Sequence, residues 1–204
     1  MSAGTLYIVA APSGAGKTSL VKRLVETTAG VVVSISHTTR SPRPNEKSGI
    51  HYHFVAPEVF EAMMAQAEFL EYAQVFDNRY GTSRAAVLEL LQAGYDVILE
   101  IDWQGARQVR ALLPDSLTIF ILPPSREALR ERLMGRGQDP AEVIERRMAS
   151  ALAELSHYAE FDYLVVNDDF ATALEALRAI IIANRQRRAV QLERCKELLQ
   201  SLLS

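Results

Sequence analysis

The 204 residues carry 22 Lys and Arg against 25 Asp and Glu, a formal net charge of −3, with 49% hydrophobic and 23% charged residues. That balance excludes a disordered chain and offers no basic face for nucleic acid, so any anion has to be gripped locally. One cysteine, Cys195, leaves no internal disulfide, and no apolar run approaches the roughly 20 residues of a membrane span, so the chain reads as cytoplasmic with no membrane partner.

The opening MSAGTLYIVAAPSG has no basic start, and its apolar run at residues 5–10 reads as a strand and not as a signal peptide. Four further apolar runs follow at residues 31–36, 95–102, 117–123 and 163–168. They are rich in Val, Ile and Leu and do not alternate with polar residues, as expected of strands covered on both faces. Helical periodicity separates them at residues 17–29, 83–93, 104–113 and 125–134. The predicted architecture is therefore α/β, a five-stranded, mostly parallel sheet between two layers of helices, with right-handed crossovers.

Between the first strand and the first helix stands APSGAGKTS, residues 11–19. Ala11, Pro12, Ser13, Gly14, Ala15 and Gly16 would turn backbone N–H groups toward a phosphate at a helix N-terminus. Lys17 would then reach the β- and γ-phosphates, and the Thr18 hydroxyl would meet a Mg²⁺ that bridges the same phosphates. The pattern G-x-x-x-x-G-K-[ST] is satisfied from Gly16 onward, with Ala11 in place of its first glycine. This loop specifies a nucleoside triphosphate and leaves the acceptor open.

Two stretches interrupt the βα rhythm. Residues 36–80 open with SHTTRSPRPNEKSG and continue through HYHFVA, a short helix at 57–66 and EFLEYAQVF, which reads as a small mixed β insertion. Arg40 and Arg43 lie there on a segment stiffened by Pro42 and Pro44, a pairing that suits a monophosphate clamp and equally a solvated surface. The second interruption, GRGQDPAEVIERRM, is a Gly-flanked charged segment of the kind that forms lids. The tail, residues 170–204, has helical periodicity throughout. Its stripe of Leu174, Leu177, Ile181, Leu192 and Leu199 would pack partly on the core and partly on a second copy, since a helix of that length would exceed about 45 Å.

Taken together, APSGAGKTS, SHTTRSPRPNEKSGIHYHFV, EFLEYAQVFDNRYGTS, ILEIDWQGA, GRGQDPAEVIERRMASALAEL and VVND make the chain resemble the guanylate kinases over nearly its whole length. The resemblance implies a P-loop core at residues 1–35, 85–134 and 148–204, a GMP-binding domain at 36–84 and a lid at 135–147. Under it, Arg40, Arg43, Tyr52 and Tyr80 hold the GMP phosphate, while Ser36, Glu71, Thr82 and Asp102 read guanine. It places Arg136 and Arg147 of the lid, the latter with its neighbour Arg146 as the alternative, on the transferring phosphoryl group together with Lys17, and Asn167 near the ATP adenine. Either Glu100 or Asp102 would order water around Mg²⁺.

The chemistry of the base agrees with that implication. Guanine presents N1–H and an amino group on one edge, and a carboxylate such as Glu71 is acceptor-only with two oxygens to meet them. Arginines around a loose transition state supply positive charge where three oxygens carry the negative. His37, His51, His53 and His157 lack metal-ligand spacing, so no metal is expected beyond the Mg²⁺ of ATP. The expected partners are ATP and GMP, with a homo-oligomer allowed by the tail. Three rivals differ from this reading in one feature each. A kinase for another monophosphate would not want Glu71, a non-catalytic binding module would not need Lys17 and the arginines, and a hydrolytic switch would lack the acceptor clamp.

Overall fold

A computed structural model of the chain describes residues 4–75, 77–135 and 141–204. The elements run β1 (Leu6–Ala10), α1 (Lys17–Thr27), β2 (Val31–Val33), β3 (His37–Thr38), β4 (His53–Phe54), α2 (Pro57–Ala65), β5 (Phe69–Val75), β6 (Asn78–Ser83), α3 (Arg84–Gln92), β7 (Asp96–Glu100), α4 (Trp103–Leu112), β8 (Leu117–Leu122), α5 (Arg126–Met134), α6 (Ala141–Leu155), β9 (Tyr163–Val166), α7 (Phe170–Arg185), α8 (Arg188–Arg194) and α9 (Lys196–Leu203). The main sheet has the order β2-β7-β1-β8-β9, every pair parallel.

Every residue of the central strand β1 is buried, because its two faces feed two cores. Tyr7 and Val9 pack with Leu20 and Leu24 of α1 and Leu177 and Ile181 of α7. Leu6 and Ile8, pointing the other way, pack with Val87 of α3 and Val109 of α4. Strand alternation thus makes two apolar layers from one continuous apolar run. The order also puts the loops after β1 and β7 side by side at the carboxyl end of the sheet, where open α/β sheets take ligands.

The insertion builds a second sheet of order β4-β3-β6-β5, in which β3 pairs parallel with β4, and β6 pairs antiparallel with β3 and β5. Neither β3 nor β6 stands out in the sequence, since NRYGTS has no apolar run; β6 is stabilised by its partners. Gly81 of β6 is needed for close approach. A Cβ there would lie 2.9 Å from Phe69 and 3.0 Å from Phe60, two rings stacked 4.6 Å apart between α2 and the sheet.

The tail departs from the single long helix that its periodicity suggested. It breaks after α7 and again at Cys195, giving three shorter helices, so the length argument for a second copy falls away. Leu174, Leu177 and Ile181 are buried against the core, whereas Leu192 is exposed and Leu199 half-buried. The α7 end is fixed by polar contacts. Buried Asp96 accepts from the Thr5 N–H at 2.9 Å and from Arg185 Nε at 2.7 Å, and Asn184 Nδ2 donates to Thr5 Oγ1 and Tyr7 Oη, each at 3.0 Å. No helix among the described residues is long and apolar enough to cross a membrane.

Candidate functional site

Residues 11–16 form the bend between β1 and α1. Gly14 and Gly16 have φ of 92° and 89°, a left-handed backbone that side chains resist, and Gly16 is the N-cap of α1. This reversal aims the first N–H groups of α1 into the space beyond β1, where nothing inside the helix can accept from them. Two elements crowd the loop from behind. A Cβ on Gly14 would meet Leu129 and Leu133 of α5 at 3.0 and 3.1 Å, and one on Gly16 would sit 2.4 Å from Asn167 Nδ2. Asn167 itself donates to the Ala15 carbonyl at 2.7 Å, and its own carbonyl accepts from Arg132 Nη2 at 3.0 Å. Its side chain is therefore part of the scaffold behind the loop.

Lys17 stands at the first position of α1, with Nζ 3.4 Å from the Ile101 carbonyl. Burial pushes its ammonium pKa down, while Glu100, Asp102 and Glu154 push it back up. Thr18 is exposed one position later. Asp102 follows β7 and caps α4, its Oδ1 accepting from the Gly105 N–H at 2.8 Å. That cap fixes the carboxylate between Lys17 on one side and Glu71 on the other, because its charge is felt by both.

Glu71, on β5, is 5% exposed and accepts from Thr82 Oγ1 of β6 at 2.5 Å. The two are direct partners in the antiparallel register, just past an irregularity between Phe69 and Glu71 that turns the carboxylate inward. Its Oε2 lies 3.0 Å from where a Cβ on Gly105 would be, so the missing side chain of Gly105 makes room for it. Burial raises its pKa to about 7, opposed by the Thr82 hydroxyl and reinforced by Asp102. The Thr82 proton is committed to Glu71, leaving the hydroxyl oxygen to accept.

Arg40 projects from the loop after β3. Its guanidinium bonds Glu46 at 3.0 Å and the Ser41 carbonyl at 2.8 Å, and lies 5.5 Å from the Tyr52 ring centroid and 5.7 Å from that of Phe54. Glu46 and then Tyr80 raise the pKa of this guanidinium, and Tyr52 and Tyr80 meet edge to face at 5.9 Å. Arg43 has an exposed side chain, and its backbone N–H donates to Glu46 at 2.7 Å. Glu46 thus occupies for Arg40 the place of an anionic oxygen. Ser36 is half-buried beside β3, its carbonyl accepting from the His53 N–H at 2.9 Å.

The residues expected on the acceptor side are therefore gathered on and around the second sheet, and those on the donor side on the loop after β1. Asp102 stands between them. Arg147 is exposed on α6, and Arg136 lies outside the described residues. Two functional candidates escaped sequence reasoning. Glu46 sat unremarked in a polar loop, and Glu154 in a helix whose periodicity reads as ordinary packing. Glu154 is half-buried on α6, and burial raises its pKa while the charge of Lys17 opposes that rise. Among the described residues no group of three or more His, Cys, Asp or Glu is arranged for a metal. A groove of about 650 Å³ is lined by Thr5, Leu6 and Leu117, at the strand ends opposite the loop after β1, and takes no part in this arrangement.

A family model described as guanylate kinase matches residues 3–184. The guanylate kinase of Alkalilimnicola ehrlichii is 62% identical over 200 residues, 98% of each chain, and that of Saccharophagus degradans 59% identical over 201 residues, again 98% of each. Among solved structures, the guanylate kinase of Anaplasma phagocytophilum superposes with a TM-score of 0.75 at 32% identity, covering 92% of this chain and 89% of its own. The SH3-kinase fragment of tight junction protein 3, at 11% identity and a TM-score of 0.52, covers 92% of this chain and 60% of its own; it shares the fold alone.

Proposed function

The chain belongs to the guanylate kinase family, and from that premise of a nucleoside monophosphate kinase we propose that it transfers the γ-phosphoryl group of ATP to GMP, giving ADP and GDP, reversibly. The observation that carries the choice of acceptor is the buried Glu71 carboxylate, held by Thr82 at 2.5 Å and oriented into the space beside Asp102. Two carboxylate oxygens match the N1–H and amino donors of guanine, whereas adenine would bring a lone pair to the same place. Ser36 and Asp102 complete the base contacts, and Arg40, Arg43, Tyr52 and Tyr80 take the monophosphate, which replaces Glu46 on the Arg40 guanidinium.

On the donor side, the N–H groups of residues 13–18 cradle the triphosphate and Lys17 bridges to the group in transit. Lys17, Arg136 and Arg147 supply the positive charge that phosphoryl transfer needs in its transition state. Asn167 braces the loop on the adenine side. The Thr18 hydroxyl, with the Glu100 and Asp102 carboxylates nearby, is an all-oxygen donor set that fits Mg²⁺ arriving on ATP; bound there, the ion would neutralise charge on the β- and γ-phosphates. Residues 36–84 serve as the GMP-binding domain, residues 135–147 as the lid, and the rest as the P-loop core.

The deciding experiment measures ADP release from ATP with GMP, AMP, UMP, dTMP or no acceptor. Turnover should need GMP. Equal rates with AMP, or ADP release without any acceptor, would refute the assignment.

A further inference from the structure

Helix α4 meets the second sheet along three consecutive residues of β5, and each contact is of a different kind. Leu70 is buried in the apolar cluster that holds Ala106 and Val109 of α4. Glu71 takes the space left by the missing side chain of Gly105. At Tyr72 the contact is polar and runs through the backbone: its N–H donates to Gln108 Oε1 at 3.2 Å, and its carbonyl accepts from Gln108 Nε2 at 3.2 Å. β5 is an edge strand of its sheet, and the Gln108 amide offers Tyr72 the donor and acceptor that a neighbouring strand would supply.

This pair lies near the surface, where water could serve both backbone groups, so it adds little to stability. What water cannot supply is a fixed distance between α4 and β5. Gly105 stands three residues before Gln108, and Asp102, the cap of the helix, three before that, so the three positions line one face of α4. Gln108 holds Tyr72, Gly105 admits Glu71, and the Asp102 charge acts on the Glu71 carboxylate. We propose that Gln108 is a positioning residue for acceptor choice: by pairing with the Tyr72 backbone it pins β5 to α4, so that Glu71 stands ready beside Asp102 for the guanine edge. This rests on the kinase reading above. Without those two bonds β5 shifts on the helix, Glu71 is aligned only part of the time, and the apparent affinity for GMP falls in proportion to the aligned fraction. At saturation bound GMP restores the alignment, so turnover is kept. AMP brings no pair of N–H donors to Glu71 and therefore loses nothing when the alignment is lost.

The test compares the parent with Gln108→Met, Gln108→Glu, Glu71→Gln and the double variant Gln108→Met/Glu71→Gln, each as the full chain with ATP and either GMP or AMP. Methionine keeps the length of the side chain and removes both bonds. It should raise KM for GMP about tenfold, the result of an aligned fraction of about one tenth, with kcat and KM for ATP unchanged. The preference for GMP over AMP in kcat/KM should fall by the same factor. Glutamate keeps an acceptor for the Tyr72 N–H but turns a charged oxygen on the Tyr72 carbonyl, so it should do no better than methionine. In the Glu71→Gln background, Gln108→Met should change KM for GMP by less than about twofold, because the carboxylate it positions is gone. An unchanged KM for GMP in Gln108→Met, a rise in KM that AMP shares equally, or losses that multiply in full in the double variant would each overturn the proposal. If the methionine variant fails to fold, a native KM for GMP in Gln108→Glu overturns it. A parent chain that uses AMP as readily as GMP, or neither, would instead sink the kinase reading, whatever Gln108 does.

Discussion

Lowering the pH from 8 to 6 should weaken GMP binding through a single carboxyl group. Glu71 titrates at about 7 in the free protein because burial disfavours its charge and Asp102 adds repulsion. Guanine offers two N–H donors to the ionised form, so bound GMP draws the pKa down and binding below 7 must first expel a proton. The ionised fraction falls from about 0.9 at pH 8 to about 0.1 at pH 6, which predicts a Kd about tenfold higher at the lower pH. The GMP phosphate has its own pKa near 6, so the comparison needs a control that shares it. Glu71→Gln is that control, since its amide does not titrate and the ligand is the same. Calorimetric Kd values for GMP at both pH values should show the tenfold loss in the parent over and above that in the variant. Identical pH dependence in the two proteins would mean that Glu71 is not what meets the guanine edge.

The same group carries a sign for stability. Its folded pKa is above the 4.5 of an exposed Glu, so the stabilisation it offers is full below about 4.5 and is lost as pH rises through about 7; Glu71→Gln should therefore raise the Tm of the ligand-free protein at pH 8 more than at pH 5, and an equal change at both would refute this. Arg147→Ala should lower kcat by about 10³-fold or more while calorimetry shows GMP binding intact, and a near-normal kcat would remove that arginine from the mechanism. Arg185→Ala leaves Asp96, 1% exposed, without its cation, which should cost about 3 kcal/mol in denaturant unfolding; a loss under 1 kcal/mol would show the pair to be incidental. With its length argument gone, self-association now rests on the exposed Leu192, Leu198, Leu202 and Leu203, and light scattering should detect species heavier than 22.7 kDa as concentration rises; a monomer throughout would end the idea.

Where a single local rule decides, the chain announces its structure. The strands of the main sheet read from apolar runs, although only the central ones are covered on both faces: Tyr163, Leu164 and Val166 of the edge strand β9 are exposed. Four helices begin behind Ser83, Asp102, Ser125 and Asp169, each of which caps its helix as a side-chain acceptor. The second sheet was only half legible. His37 and Thr38 of β3, and most of β6, owe their conformation to partners distant in sequence, and no periodicity of their own marks them. Glu71 was legible as chemistry, through its fit to guanine, but its pKa was not: that depends on Thr82, 11 residues on, and Asp102, brought close only by the fold. Arg40 was legible as a candidate for holding phosphate, while its present bond to Glu46 belongs to the geometry of a loop.

Ala11 shows how far a motif differs from the physics behind it. A strict consensus asks for glycine there, yet the residue is half-buried against the same core as β1 and is not among the non-glycine residues with positive φ. Its methyl group therefore meets neither of the two conditions that make glycine obligatory, a left-handed backbone or a neighbour too close for a Cβ. Gly16 meets both, at φ 89° and with Asn167 Nδ2 2.4 Å from the missing Cβ. The two positions look alike in the pattern and differ in the fold, because only the second sits where the chain reverses into α1. The bond from Asn167 to the Ala15 carbonyl explains why the reversal is so tight: a side chain 152 residues away fills the space behind it. That neighbour is invisible to any local pattern. A phosphate-loop motif can thus be read from nine residues, while the shape of the wall behind it is set by Leu129 and Leu133 of α5 and by Asn167, just after β9.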